Sequence, residues 1–169
     1  MGDGKTEVTI SRRDLIAATL AATAASVMGA KVSGAPTGSL SVAAARNGRY
    51  FGSAVRINEL DAEQDLRDAV LRECSHLVPE IDMNWNQVEP AYGQLSFERM
   101  DDLATFAIRN GKRIRGHVLL WHLSVPDWAV EMLRETRDWN IIARYFGSVM
   151  PRYGDVISTW EVVNEAIDT

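Results

Sequence analysis

Thr159-Trp160-Glu161-Val162-Val163-Asn164-Glu165-Ala166 is the stretch around which the rest of the chain can be read. Val156 to Val163 has the apolar, β-branched character of a short buried strand. Its last step delivers an amide and a carboxylic acid side by side. Adjacent strand residues point to opposite faces. Asn164 and Glu165 can therefore serve one site only where the strand is ending and its alternation breaks. In chains that alternate strands and helices, carboxyls placed at the C-terminal ends of strands are where the chemistry sits.

Upstream, the same alternation repeats. Tyr50 to Val55 reads as a first buried strand, followed by a helix over Asp61 to His76 with Leu66, Val70, Leu71, Cys74 and Leu77 at helical spacing. Leu77 to Met83 reads as a second strand. A loop with Glu89, Pro90 and Gly93 leads to Ser96, the expected N-cap of a helix over Phe97 to Asn110. Met100, Leu103, Ala104 and Ala107 form its apolar stripe, and Gly111 ends it. Lys112 to Leu120 is the third strand. After a loop at Pro126, Asp138 opens a helix with Ile141, Ile142, Tyr145, Phe146 and Val149 inward. The order β-α-β-α-β-α-β implies a parallel α/β sheet, either half of a barrel or a small doubly wound sheet. No glycine-rich phosphate loop follows the first strand, where Gly52 stands alone, so nucleotide binding is not indicated.

Composition narrows the function. The chain has 169 residues, enough for one cored domain but short of the ~250 of a complete (β/α)8 barrel. Its net charge of −5 offers no basic surface for nucleic acid. The single cysteine, Cys74, excludes an internal disulfide and fits a small core residue. His76, His117 and His122 lack metal-helix spacing, so neither a metal nor an organic cofactor is expected.

Four segments in order then resemble glycoside hydrolase family 10, the endo-β-1,4-xylanases. They are Tyr50-Phe51-Gly52; Pro79 to Trp85 with Glu89-Pro90 and Gly93; Arg115 to His122 with Pro126 and Trp128; and Trp160 to Ala166. The resemblance implies a partial (β/α)8 TIM barrel, its first four β/α units, over residues 36–169. It implies a retaining endo-β-1,4-xylanase acting on internal bonds of xylan, with Glu165 as general acid/base. Asn164 matches the amide that binds the sugar 2-hydroxyl, His122 a sugar contact at the cleavage point, and Glu80 a sugar-hydroxyl acceptor one subsite away. Asn84 stands where the family's lysine binds sugar. Trp128 fits either an aromatic wall beside that subsite or core packing, while Trp85, Trp121 and Trp160 read as core.

Such residues suit the reaction. Glycosidic cleavage needs one carboxylic acid on the leaving oxygen and a second carboxylate on the opposite face of the sugar. A retaining pair stands ~5–5.5 Å apart, whereas four residues of strand span about 13 Å. Glu161 is therefore not the partner of Glu165, and reads as a structural acceptor. His117 reads as a hydrogen-bonded structural histidine and Arg115 as half of an internal ion pair. The family's nucleophile follows its seventh strand, so the chain is expected to be a partial sequence, inactive alone. Ile81 and Asn84 replace the family's Asn and Lys, which leaves two alternatives open: a hydrolase of another β-1,4-glycan, or a non-catalytic carbohydrate-binding half-barrel.

Residues 1–35 read as an address and linker. Ser11-Arg12-Arg13-Asp14-Leu15-Ile16 resembles a twin-arginine export signal, and no charge occurs from Leu15 to Ala30. That run falls short of the ~20 residues needed to span a bilayer. The expectation is a precursor handled by the twin-arginine machinery, and a mature protein that is periplasmic or extracellular and free of the membrane.

Overall fold

The computed structural model describes residues 38–167, so the expected export signal at 1–35 lies outside the described residues. A short helix, α1 (Leu40–Ala45), precedes β1 (Gly52–Val55), α2 (Ile57–Ala62), α3 (Gln64–Glu73) and β2 (His76–Pro79). Then come α4 (Trp85–Val88), α5 (Glu98–Arg109), β3 (Arg113–Gly116) and β4 (Leu120–Trp121). The chain continues through α6 (Asp127–Thr136), α7 (Asn140–Tyr153), β5 (Ile157–Trp160) and β6 (Val163–Asn164).

Strands β1, β2, β3 and β5 form one parallel sheet in that order. Each strand lies beside its predecessor, with no reversal of strand order of the kind a doubly wound sheet requires. Burial alternates along the strands. Along β3, Ile114 and Gly116 are buried while Arg113 and Arg115 are exposed. Leu77, Ile114 and Ile157 line up across the register and are all buried. A complete parallel sheet of either kind has both faces covered. Among the described residues this sheet is covered on one face, by α3 and α5, and with its unreversed strand order the fold is part of a (β/α)8 barrel.

The core follows the helical spacing in part, with Leu66, Leu71, Ile142 and Phe146 only partly covered. Met100, Leu103, Ala104 and Ala107 of α5 and Ile141, Tyr145 and Val149 of α7 are buried, as is Cys74. Two glycines permit close approach in the sheet. A Cβ on Gly52 would stand 2.3 Å from the His76 carbonyl oxygen, and one on Gly116 would stand 2.5 Å from the Trp160 ring.

Several boundaries differ from those read in the sequence. The helix expected over 61–76 is two helices, broken at Glu63, which is extended. The earlier one starts at Ile57, whose amide donates to the buried Asp82 carboxylate at 2.9 Å. That cap arrives from another loop and leaves no local signature. The second strand stops at Pro79 and not Met83, because Trp85–Val88 turns into a helix. Ser96 is not an N-cap. Its amide donates to the Val88 carbonyl at 2.7 Å, and Phe97 takes the cap position without a side-chain bond. Helix α6 forms where the sequence reads as a loop after Pro126.

Candidate active site

The third and fourth strands do not run unbroken to the positions expected from the sequence. The main sheet ends at Gly116 and Trp160, and both segments then resume as a separate two-stranded ladder. Leu120 pairs with Val163, and Trp121 with Asn164. Between the ladders, Glu161 donates its amide to the Gly116 carbonyl at 2.8 Å, and Leu119 donates to the Glu161 carbonyl at 3.1 Å. Backbone bonds on both sides thus fix the segment that leads to Glu165.

At Glu165 the strand ends. Its φ of 50° lies in the left-handed region, uncommon for a residue with a side chain. That turn breaks the alternation, so Asn164 and Glu165 line one cleft together with His122. The cleft measures about 470 Å³, within the range of small-ligand sites. Its floor is apolar, with Leu133, Ile142 and the largely exposed Trp139. Among the described residues lining it, Glu165 is the only carboxylate.

The Trp121 indole N–H donates to Oε2 of Glu165 at 2.7 Å. Trp121 was expected in the core. It is only half-buried, and its pairing with Asn164 brings the indole to the carboxylate. Glu161 accepts from Arg115 and His117, each at 3.1 Å, which matches the structural role read for all three.

The remaining expected site residues lie apart from this cleft. Glu80 is bound by the Arg56 guanidinium at 2.8 Å, and that contact raises the Arg56 pKa. Asn84 is 4% exposed, and its side-chain carbonyl oxygen has no hydrogen-bond partner. Trp128 is half-buried, meets Trp85 and Tyr92 in T-shaped edge contacts, and donates to the Glu89 carbonyl at 3.0 Å. It lines a second, adjoining pocket.

From the sequence, Glu89 reads only as a loop residue. It is fully buried, and its carboxylate takes hydrogen bonds from Arg144, Trp85 and the Gly93 amide. Arg144 comes from α7, far along the chain, so no local pattern could reveal the pair. The Trp85 spacing of four residues within one helical turn was the available signal.

The architecture agrees with that of known proteins. Residues 39–169 match the profile of glycosyl hydrolase family 10. The chain is 32% identical over 128 residues to endo-1,4-beta-xylanase 1 of Humicola insolens, covering 71% of this chain and 29% of that protein. It is 34% identical over 116 residues to endo-1,4-beta-xylanase 3 of Hypocrea jecorina, covering 69% and 33%. A psychrophilic family 10 endo-beta-1,4-xylanase superposes with a TM-score of 0.68 at 30% identity, covering 78% of this chain and 42% of that one. Xylanase 10B from Thermotoga petrophila, solved with xylobiose, superposes with a TM-score of 0.69 at 26% identity, covering 78% and 41%. The chain spans about a third of the length of these two curated relatives. From profile, fold and strand-end geometry together, the chain belongs to glycosyl hydrolase family 10.

Proposed function

We propose that this chain carries the acid/base part of a retaining endo-β-1,4-xylanase. The observation that carries the reading is Glu165 at a strand end, hydrogen-bonded to Trp121 and sharing a cleft with Asn164. Trp121 holds Oε2, and Oε1 takes no hydrogen bond from the described residues. Oε1 is thereby the oxygen that presents a proton to the glycosidic oxygen. After the bond breaks, the same carboxylate takes a proton from the incoming water. Asn164 hydrogen-bonds the sugar 2-hydroxyl, a contact that strengthens as oxocarbenium character develops.

The second carboxylate, on the opposite face of the sugar, is supplied by the remainder of the barrel. Glu161 does not fill that role, since Arg115 and His117 engage it. Xylan is the substrate that the family membership favours. Ile81 and the buried Asn84 favour a second reading, another β-1,4-linked glycan, because neither brings a charged donor to the sugar. A twin-arginine-type export signal over residues 1–35 belongs to the same proposal, supported by Arg12-Arg13 and the uncharged run to Ala30. No helix among the described residues is long and apolar enough to cross a membrane.

Glu165→Ala in the full-length enzyme tests the assignment. Hydrolysis of substrates with poor leaving groups drops by roughly 10²–10⁴-fold, and that of activated aryl glycosides drops far less. Equal rates on both substrate types in variant and parent would refute the acid/base role. Reducing-sugar release from xylan, cellulose and mixed-linkage glucan by the parent enzyme separates the two substrate readings.

A further inference from the structure

The sequence carries one tetrapeptide pattern twice: Arg46-Asn47-Gly48-Arg49 after α1, and Arg109-Asn110-Gly111-Lys112 at the end of α5. No other asparagine of the chain is followed by glycine. Asparagine before glycine is intrinsically reactive. Glycine has no Cβ, so its backbone nitrogen can close on the carbonyl carbon of the preceding side-chain amide. Both copies have an arginine before the pair and a cation after it. Their chemistry in an unfolded chain is therefore nearly the same, and the fold alone decides between them.

Both copies close a helix in the same way, and both asparagines are exposed to water. Gly48 and Gly111 are left-handed, with φ of 65° and 62°, the conformation a glycine commonly takes where a helix ends. The Arg49 amide donates to the Ala44 carbonyl at 3.0 Å, and the Lys112 amide to the Ala107 carbonyl at 2.8 Å. Each asparagine donates its side-chain NH2 one turn back, Asn47 to Ala43 at 3.0 Å and Asn110 to Phe106 at 2.8 Å. What differs is the cost of leaving that geometry. Helix α1 has six residues and none is buried, so little packing is lost when its last turn opens. Helix α5 has twelve, with Met100, Leu103, Ala104, Phe106 and Ala107 buried. The chain after Gly111 is clamped as well. The Lys112 ammonium donates to the Leu71 and Cys74 carbonyls at 2.7 and 2.6 Å, and the Arg113 amide to the Ser75 carbonyl at 3.0 Å. After Gly48, by contrast, Arg49 and Tyr50 are exposed.

We propose that Asn47 is a site of spontaneous deamidation by water in the folded protein, and that the fold protects Asn110. When the last turn of α1 opens, the Gly48 nitrogen bonds to the side-chain carbonyl carbon of Asn47. The side-chain nitrogen leaves as ammonia, taking up the proton that the Gly48 nitrogen loses, and a cyclic imide remains. Water then opens the ring at either carbonyl. One opening gives aspartate at position 47, and the other gives isoaspartate, in which the main chain runs through the side-chain carbon. The net change is uptake of water, loss of ammonia and gain of a negative charge beside Arg46 and Arg49. Isoaspartate also lengthens the main chain by a methylene, which breaks the bonds from Gly48 and Arg49 to the last carbonyls of α1. Helix α1 supplies no residue to the cleft, so the proposed hydrolysis at Glu165 is not affected.

Peptide mapping by mass spectrometry of the full-length protein, incubated folded at mildly alkaline pH, reads both sites in the same sample. Asn47 converts roughly tenfold or more faster than Asn110, because α1 opens locally more easily than α5. Its products are heavier by the difference between OH and NH2, with isoaspartate among them. In concentrated urea the two sites convert at similar rates, because their local sequences match. Asn47→Gln removes the acidic species that accumulate on ion exchange, and Asn110→Gln leaves them. Equal rates at the two sites in the folded protein, or faster conversion at Asn110, overturn the proposal. So does a preference for Asn47 that persists undiminished in urea, since the fold would then not be its cause. Intact Asn47 in the folded protein, over a period that consumes it in urea, overturns it as well.

Discussion

Glu89→Gln removes one charge from the most heavily bonded side chain near the cleft, and its cost can be worked from the geometry. The carboxylate is fully buried. Arg144 donates to both oxygens at 2.7 and 2.9 Å, the Gly93 amide to Oε1 at 2.7 Å, and the Trp85 indole to Oε2 at 3.0 Å. A glutamine offers one acceptor oxygen and turns an NH2 group toward donors on the other side. Whichever way the amide is set, Trp85 or Gly93 loses its acceptor, and Arg144 faces a neutral group. Losing a hydrogen bond to a charged group costs about 1.5–3 kcal/mol. Stranding one member of a buried ion pair brings the total to about 3–5 kcal/mol. The Arg144 side chain is 33% exposed, so water recovers part of its share. The lower figure, about 3 kcal/mol, is therefore expected, equivalent to a fall in Tm of about 10 °C. Thermal and urea unfolding followed by circular dichroism read it directly. Arg144→Met and the double variant complete a cycle in which the second substitution costs much less than the first. A fall in Tm below about 3 °C for Glu89→Gln, or full additivity in the cycle, would refute the idea that this pair anchors the loop after β2.

Two further outcomes follow from the sheet. Gly116→Ala puts a Cβ 2.5 Å from the Trp160 ring, and overpacking of this kind costs about 1–3 kcal/mol in urea unfolding. A variant as stable as the parent would mean that Trp160 moves without penalty. His76 has a lowered pKa, caused first by burial and then by the neighbouring Arg113 charge. The folded state thus binds that proton less well than the unfolded chain, whose value is near 6.5. Stability contributed by neutral His76 is complete above that value and is lost as the pH falls through the lower folded-state pKa. His76→Gln flattens the stability profile between about pH 5 and 7; an unchanged slope there rules out His76 as its source. Glu73 is lowered too, by the Leu40 amide and Arg72, with the same sign but from 4.5 downward, outside that window.

The parallel sheet was legible because its apolar runs and helical stripes are local signals. Leu77, Ile114 and Ile157 each sit in such a run, and each is buried. The end of the fourth strand was legible for a related reason. Two polar side chains in succession cannot share a face unless the strand stops, and the left-handed Glu165 is where it stops. Features made by distant residues were not legible. The α2 helix depends on Asp82 for its cap, and the break after it at Glu63 divides what reads as a single helix. Helix α6 lies behind Pro126, which marks a turn and equally a helix start. Within it Ala129 is buried, while Trp128, Met132 and Leu133 are only partly covered, which thins the periodic signal. Trp121 looked like core because tryptophans in apolar runs are usually core. Its hydrogen bond to Glu165 spans 44 residues and exists only once β4 and β6 pair.

That long-range pairing explains how the site divides its labour. The β4–β6 ladder carries the groups proposed to react: Asn164 is in it, Trp121 faces it across the register, and Glu165 follows its last residue. The segment after β2 contributes no side chain to the cleft. Asn84 is buried there, Glu80 is held by Arg56, and Glu89 points inward to Arg144. Yet that segment sets the neighbouring wall, because the Glu89 carbonyl fixes Trp128 and the Asn86 amide holds the loop carrying Ser124. On the proposed function, changes such as Ile81 and Asn84 act on the sugar that rests beside the bond and leave the Glu165 strand end undisturbed. Changes at Trp121 act the other way, on the carboxylate itself, and leave the distal wall in place. On the proposed function, chemistry falls to the β4–β6 ladder and substrate choice to the segment after β2, two structural units whose side chains border separate pockets that share Val125.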